Sequence, residues 1–157
     1  MIRNFIFVIC LFIFLIPIQP SNASMDYGKQ TLIGADFSNA DLRGATFYLT
    51  DLQNADLSGS DLEGASLFGA KLEKANLSNA NLRDVTLDSA VLDGTDLSNA
   101  VLENAFAFNA RFKNVKIVGA DFTNVPFRKN ELNTLCVTAD GVNSFTNRQT
   151  RDTLGCD

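Results

Sequence analysis

A period of five governs this chain. From residue 35 to residue 129 the sequence cuts, without insertion, into nineteen pentapeptides: ADFSN, ADLRG, ATFYL, TDLQN and onward to VPFRK. The third place holds twelve Leu, five Phe, one Ile and one Ala, and the first holds thirteen Ala, three Val, two Thr and one Ser. Five residues match neither the turn of a helix nor the alternation of a long strand. A unit this short cannot bury its own apolar face, so burial must come from stacking units on one another, which is the logic of a solenoid. Ala is as necessary as Leu, because a narrow tube has room for only one large side chain per side.

The motif A-(D/N)-L-x-x, repeated over about three-fifths of the chain, resembles that of the pentapeptide-repeat proteins. The resemblance implies an all-β solenoid, a right-handed four-sided β-helix. Each pentapeptide makes one side, four make a coil, and the first and third residues point inward. Nineteen repeats give 4.75 coils, a rod of roughly 23 Å at the ~4.8 Å spacing of neighbouring strands.

Residues 1–23 have the three parts of a secretory signal peptide. Arg3 precedes an apolar run from Phe5 to Ile16, and Pro17 and Pro20 lead to the small-residue site Ser21-Asn22-Ala23. The run is shorter than the roughly twenty residues a bilayer requires, so cleavage after Ala23 and no stable membrane anchor are expected. Cys10 lies inside the run, away from a lipidation position. Residues 24–34 read as a lead-in that covers the open end, with Leu32 at the large position of a degenerate repeat and Gln30 at the small one.

Residues twenty apart should sit one above another, which sorts the outward positions into faces. One face stacks the acidic column Asp36, Asp56, Asn76 and Asp96 beside Ser38, Ser58, Ser78 and Ser98. It reads as a solvated face, with cation or basic-partner binding as the sharper alternative. A second stacks Arg43, Glu63, Arg83 and Glu103 and is expected to form a ladder of alternating charge. A third carries Tyr48, Phe68 and Phe108 in one column, broken by Asp88, with Phe106 beside it. Large rings directed at water mark a contact surface, so Tyr48, Phe68, Phe106 and Phe108 are the candidate partner face. The single inner-column break, Ala107, lies on this face, and either a flanking ring turns in to fill it or the chain shifts register.

Beyond Lys129, residues 130–157 form a C-terminal cap. Residues 130–136 read as a short helix with Leu132 and Leu135 packing down, and Thr150-Arg151-Asp152-Thr153-Leu154-Gly155 as a further turn with Thr150 as N-cap and Gly155 as the stop. In an exported chain Cys136 and Cys156, the two Cys left after cleavage, should pair. Two reduced thiols or a redox switch are the alternative. This tail resembles the cap of the lumenal pentapeptide-repeat proteins of cyanobacterial and plant thylakoids, where the resemblance implies that the two Cys bracket the cap with a disulfide.

Cleavage would leave eighteen acidic against twelve basic side chains, a net charge of −6. Such a chain lacks the basic stripe that direct nucleic-acid binding requires. With no His, no Gly-rich phosphate loop and no clustered ligand pattern, neither catalysis, a metal nor a cofactor is expected. The reading is a non-catalytic, monomeric interaction or structural module, exported to a thylakoid lumen or periplasm, whose protein partner the sequence does not name. A second reading comes from cytoplasmic pentapeptide-repeat proteins that imitate DNA and occupy a topoisomerase. The export signal, the short rod and the moderate charge weigh against it. A one-residue insertion after Leu77 turns every later Leu outward and should abolish the cooperative thermal transition, whereas Ser78→Ala should cost less than about 1 kcal/mol. Equal tolerance in melting experiments would contradict the five-residue frame.

Overall fold

The computed structural model describes residues 25–157; the expected signal peptide and Cys10 lie outside the described residues. The backbone winds as a four-sided solenoid held by isolated parallel bridges between residues twenty apart, running from Asp26↔Thr46 to Val101↔Asp121. Residues 25–124 make twenty pentapeptides, or five coils. The lead-in expected to cover the end is therefore itself part of the first coil. Gln30 fits there because its first-place site lies at the tube's mouth, where it stays exposed.

One pentapeptide, Ala55-Asp56-Leu57-Ser58-Gly59, shows how every N–H is used. Asp56 N–H donates to Ala35 O in the coil below at 2.9 Å, while Leu57 and Gly59 donate to Asn76 O and Ser78 O in the coil above at 2.8 and 2.9 Å. Ser60 N–H closes the corner on Leu57 O at 3.2 Å. The remaining donor, Ser58 N–H, is taken by the Asp56 carboxylate at 2.9 Å. That last bond explains why Asp or Asn recurs at the second place. The fifth place sits in the left-handed region, for example Asn54 at φ 57° and Asn79 at φ 59°, which favours Gly and Asn.

Inside the tube the first- and third-place side chains are sealed from solvent, with Leu52, Leu57, Leu62, Leu67 and Leu72 all at 0% exposure. Where a hydroxyl replaces Ala it finds a carbonyl: Thr95 Oγ1 donates to Leu72 O at 2.7 Å and Ser60 Oγ to Leu57 O at 2.7 Å. Ala107 keeps the frame and is buried, while Phe106 and Phe108 stay outside at 53% and 45% exposure. Neither flanking ring fills the gap. Ala107 shares its coil with buried Phe112, Ile117 and Phe122, so two rings replace the volume that one missing Leu would have filled.

The last pentapeptide, 125–129, leaves the pattern at Pro126, which has no N–H for the ladder. Phe127 packs against Phe112 and Phe122 at ring-centroid distances of 5.4 and 5.7 Å. Helix α1 runs Lys129–Thr138, longer than the expected 130–136, with Leu135 buried on the last coil. Helix α2 runs Thr150–Leu154; its N-cap is Gln149 rather than Thr150, which is buried, and Gly155 at φ 68° ends it as expected. Cys136 and Cys156 are joined as a disulfide across a sequence separation of 20, a loop whose closure is worth about 3 kcal/mol on the chain-entropy model.

The cap also replaces the partners that a sixth coil would have supplied. Phe112 N–H donates to the Glu131 carboxylate at 2.8 Å, Gly119 N–H to Asp140 O at 2.8 Å, and Phe122 N–H to the Thr153 hydroxyl at 3.1 Å. Asn143, fully buried, donates to Gly119 O at 2.8 Å and accepts Phe145 N–H at 2.9 Å. Arg148 reaches down to Asp121 at 3.2 Å and Glu103 at 3.1 Å.

Asp121 is fully buried. Burial opposes its ionisation, but hydrogen bonds from Thr123 and Thr146, with the charge of Arg148 as a smaller contribution, outweigh that cost and hold its pKa below 3.8. A depressed carboxylate stabilises the fold above its unfolded pKa and loses that contribution as pH falls through the folded one. The stability difference between wild type and Asp121→Asn should thus stay constant from about pH 7 to about pH 5 and shrink below 3.8. Arg148→Met, which strands the buried carboxylate, should cost on the order of 3 kcal/mol near neutral pH. Thermal melts across that range measure both.

Candidate interaction face

The four sides differ in how much of their chemistry is already committed. On the acidic side each carboxylate caps its own turn: Asp36 accepts Ser38 N–H at 2.9 Å and Asp96 accepts Ser98 N–H at 2.9 Å. Asp56 also accepts the Asn76 side-chain amide at 3.2 Å, and Lys116 closes the column against Asp96 at 3.2 Å. The Ser38 N–H holds the Asp36 pKa below its usual value; at Asp96 burial works the other way and is outweighed by Ser98 and Lys116. The acidic column is thus a set of turn caps with a cation at its end. Among the described residues no group of three or more His, Cys, Asp or Glu is placed to hold a metal ion.

The expected charge ladder forms only in part. Arg83 meets Glu103 at 3.4 Å, and Arg148 continues the column from the cap. Arg43 instead pairs within its own repeat with Asp41 at 2.6 Å and upward with Asp61 at 3.6 Å, leaving Glu63 to accept the Asn81 amide at 3.2 Å. The hydrogen bond from Arg43 brings the Asp41 pKa down to about 2. Asp at the second place competes for Arg at the fourth, which column-wise reasoning overlooked.

The aromatic side divides in two. Tyr48 and Phe68 stack along the rod with ring centroids 5.7 Å apart and planes 18° apart. Tyr48 is 40% exposed and its neighbour Leu49 47%, while Phe68 is half-buried beneath them. Leu49 holds an unfavourable left-handed φ of 53° and lies across Gly69, whose missing side chain makes the space it occupies. Lys29 Nζ sits 5.8 Å from the Tyr48 ring centre. Further along, Asp88 separates this patch from the second pair of rings by accepting Asn109 N–H at 3.0 Å. Phe108 lies under the Arg128 guanidinium at 5.1 Å, and Phe106 stands beside it. The column of rings, broken by Asp88 in the sequence, is thus two separate patches, and the Arg128 guanidinium lies over the Phe108 ring of the second. Tyr48, Leu49 and Phe68 form the patch with stacked rings, while Phe106 and Phe108 form the other.

An apolar groove between α1 and the last coil, lined by Phe112, Val115, Leu135 and Val137, lacks convergent charged groups. No helix among the described residues is long and apolar enough to cross a membrane.

The family model described as pentapeptide repeats matches residues 31–67 and 65–104, with eight copies. A solved pentapeptide repeat protein from the Arabidopsis thaliana thylakoid lumen is 44% identical, with 83% of this chain and 90% of that chain covered and a TM-score of 0.82. This chain belongs to the pentapeptide-repeat family. A pentapeptide repeat protein from Nostoc PCC 7120 is 28% identical over 67% of this chain and 86% of its own, with a TM-score of 0.55. Another, from the cyanobacterium Cyanothece 51142, is 22% identical over 68% and 83% at TM-score 0.58, a likeness in fold alone. Comparison with curated proteins gave no match. These pentapeptide-repeat relatives imply a right-handed quadrilateral winding for the coils.

Gly69→Ala tests how the patch with stacked rings is held. A methyl there would come within 2.6 Å of Leu49, so this change should cost about 1–3 kcal/mol by displacing Leu49 and straining a left-handed position. Gly64→Ala, equally left-handed but with nothing within 4 Å, should cost only about 1 kcal/mol. Denaturant melts of the two variants isolate the Leu49 contact by difference.

Proposed function

We propose that this chain is an exported, non-catalytic interaction module that presents the Tyr48–Leu49–Phe68 patch to a protein partner in a thylakoid lumen or periplasm. The observation that carries the reading is the distribution of committed groups. Second-place Asp and Asn residues cap turns, Arg43, Arg83 and Arg148 are paired within the chain, and Tyr48 and Leu49, beside a half-buried Phe68, remain open to solvent. Aromatic side chains of this kind anchor protein interfaces. A location outside the cytoplasm is supported by the signal-like residues 1–23, by the Cys136–Cys156 disulfide and by the 44% identical relative from the Arabidopsis thylakoid lumen. The module acts without metal or cofactor, has no direct contact with nucleic acid and carries no membrane anchor once cleaved.

The test is capture of partners from the exported compartment by wild type, by Tyr48→Ala with Phe68→Ala, and by Ser58→Ala with Ser78→Ala, after thermal melts confirm that each is folded. The aromatic pair should weaken a specific partner by roughly tenfold or more, and the serine pair should leave it unchanged. A partner that survives the aromatic changes but is lost on replacing Asp36, Asp56 and Asp96 would move the site to the acidic side.

A further inference from the structure

The two ends of the tube are finished differently. The C-terminal end has Pro126 to stop the ladder and a helical cap whose side chains take the leftover donors. At the N-terminal end the N–H groups of Asp26, Thr31, Asp36 and Asp41 have no earlier coil to donate to, and among the described residues none meets an acceptor. The inner residues of this coil, Tyr27, Leu32 and Phe37, are only partly buried, although their counterparts Phe47, Leu52 and Leu57 one coil on are at 0% exposure. No proline interrupts residues 25–44. An edge that offers both free backbone groups and apolar surface is a template for pairing with another chain.

We propose that this mouth is the association face for a second copy of the chain, the two rods joined N-terminal end to N-terminal end about a two-fold axis. The inference rests on the export reading, under which only Ser24 precedes the first pentapeptide, too little chain to cross the opening. The free edge follows a four-sided outline. A lone extended peptide reaches one side of it, whereas a second copy matches all four. Chain direction reverses across a two-fold axis, so the sides pair antiparallel, free N–H groups facing the carbonyls of the other mouth, of which Asp26 O already accepts the Gln30 side-chain amide at 3.2 Å. With the axis through the centres of the Thr31 and Asp41 sides, Ile33, 55% exposed, faces Thr31 of the second copy. The side holding both Asp41 and Arg43 then brings opposite charges together, and the side holding Lys29 faces the one holding Asp36. The surface is self-complementary in charge as well as in backbone, and the dimer replaces the monomer expected from sequence.

Expression with the leader in an exporting bacterium, followed by mass determination and sedimentation velocity over a concentration series, tests this. The expected result is an N-terminus at Ser24 and a species of twice the chain mass that dissociates on dilution. Thr31→Pro removes an edge donor that no internal bond uses, and Ile33→Lys replaces an apolar contact across the interface with a charge. Each should weaken association by about tenfold or more while leaving the melting of the dilute protein unchanged. Val137→Lys, at an 84% exposed position on α1, should leave the dimer intact. Monomeric mass at every concentration for protein starting at Ser24 overturns the dimer, as does a dimer broken by Val137→Lys yet indifferent to the two edge changes. An N-terminus upstream of Ser24 overturns the export reading, and the mass spectrum reports that outcome separately.

Discussion

Main-chain hydrogen bonding between residues twenty apart is the interaction on which the rest of this structure depends. A pentapeptide has five N–H groups, and burying a side of the tube is affordable only if each of them finds an acceptor. Three donate along the ladder and one closes the corner. The fifth is met by the carboxylate or amide two residues earlier, as at Asp36, Asp56, Asn76 and Asp96. The repeat motif is this hydrogen-bond inventory written in residue types: small, capping, large, free, left-handed.

A ladder has two ends, and its termination shapes the remainder of the chain. At the C-terminal end irregular sequence does what a coil would have done, with Glu131, Thr153 and Asn143 each standing in for a missing neighbour. Arg148 extends from this cap to a carboxylate that the last regular coil buries completely. A buried pair of this kind adds little net stability over an apolar one but is costly to break, so it fixes where the cap sits. The disulfide from Cys136 in α1 to Cys156, just beyond α2, closes the same loop from the other side. The N-terminal coil has no such devices among the described residues.

The same economy decides what is left for recognition. Because second-place polar groups are turned back on the main chain, the sides of the rod that look chemically rich in sequence are largely occupied. The Tyr48 and Phe68 rings are an exception. They occupy the fourth place, which neither packs in the core nor caps a turn, and Leu49 is retained at a strained φ beside them. A leucine at a position that ordinarily favours Gly or Asn is a local cost that the fold does not need, and the space left by Gly69 is what accommodates it.

The period of five, by itself, determined that the units stack as a solenoid, because that depends on spacing along the chain; the inward Leu and Ala columns and the twenty-residue register were what the resemblance to pentapeptide-repeat proteins implied. Cys136 and Cys156 could be paired on the same level, as the last two thiols of an exported chain. What only the tertiary structure decided are the outcomes of competition among neighbours. Arg43 chose Asp41 and Asp61 over Glu63 because second-place carboxylates lie nearer than the column partner. Ala107 left no shift in register because Phe112 and Phe122, from other sides of the same coil, supply the volume. Residues 25–34 joined the ladder despite Gln30, since a first-place side chain at the mouth of the tube need not be small. The buried contacts of Asp121 and Asn143 had no periodic signature at all, because they are made once, across 27 and 24 residues of sequence, where the repeat has stopped.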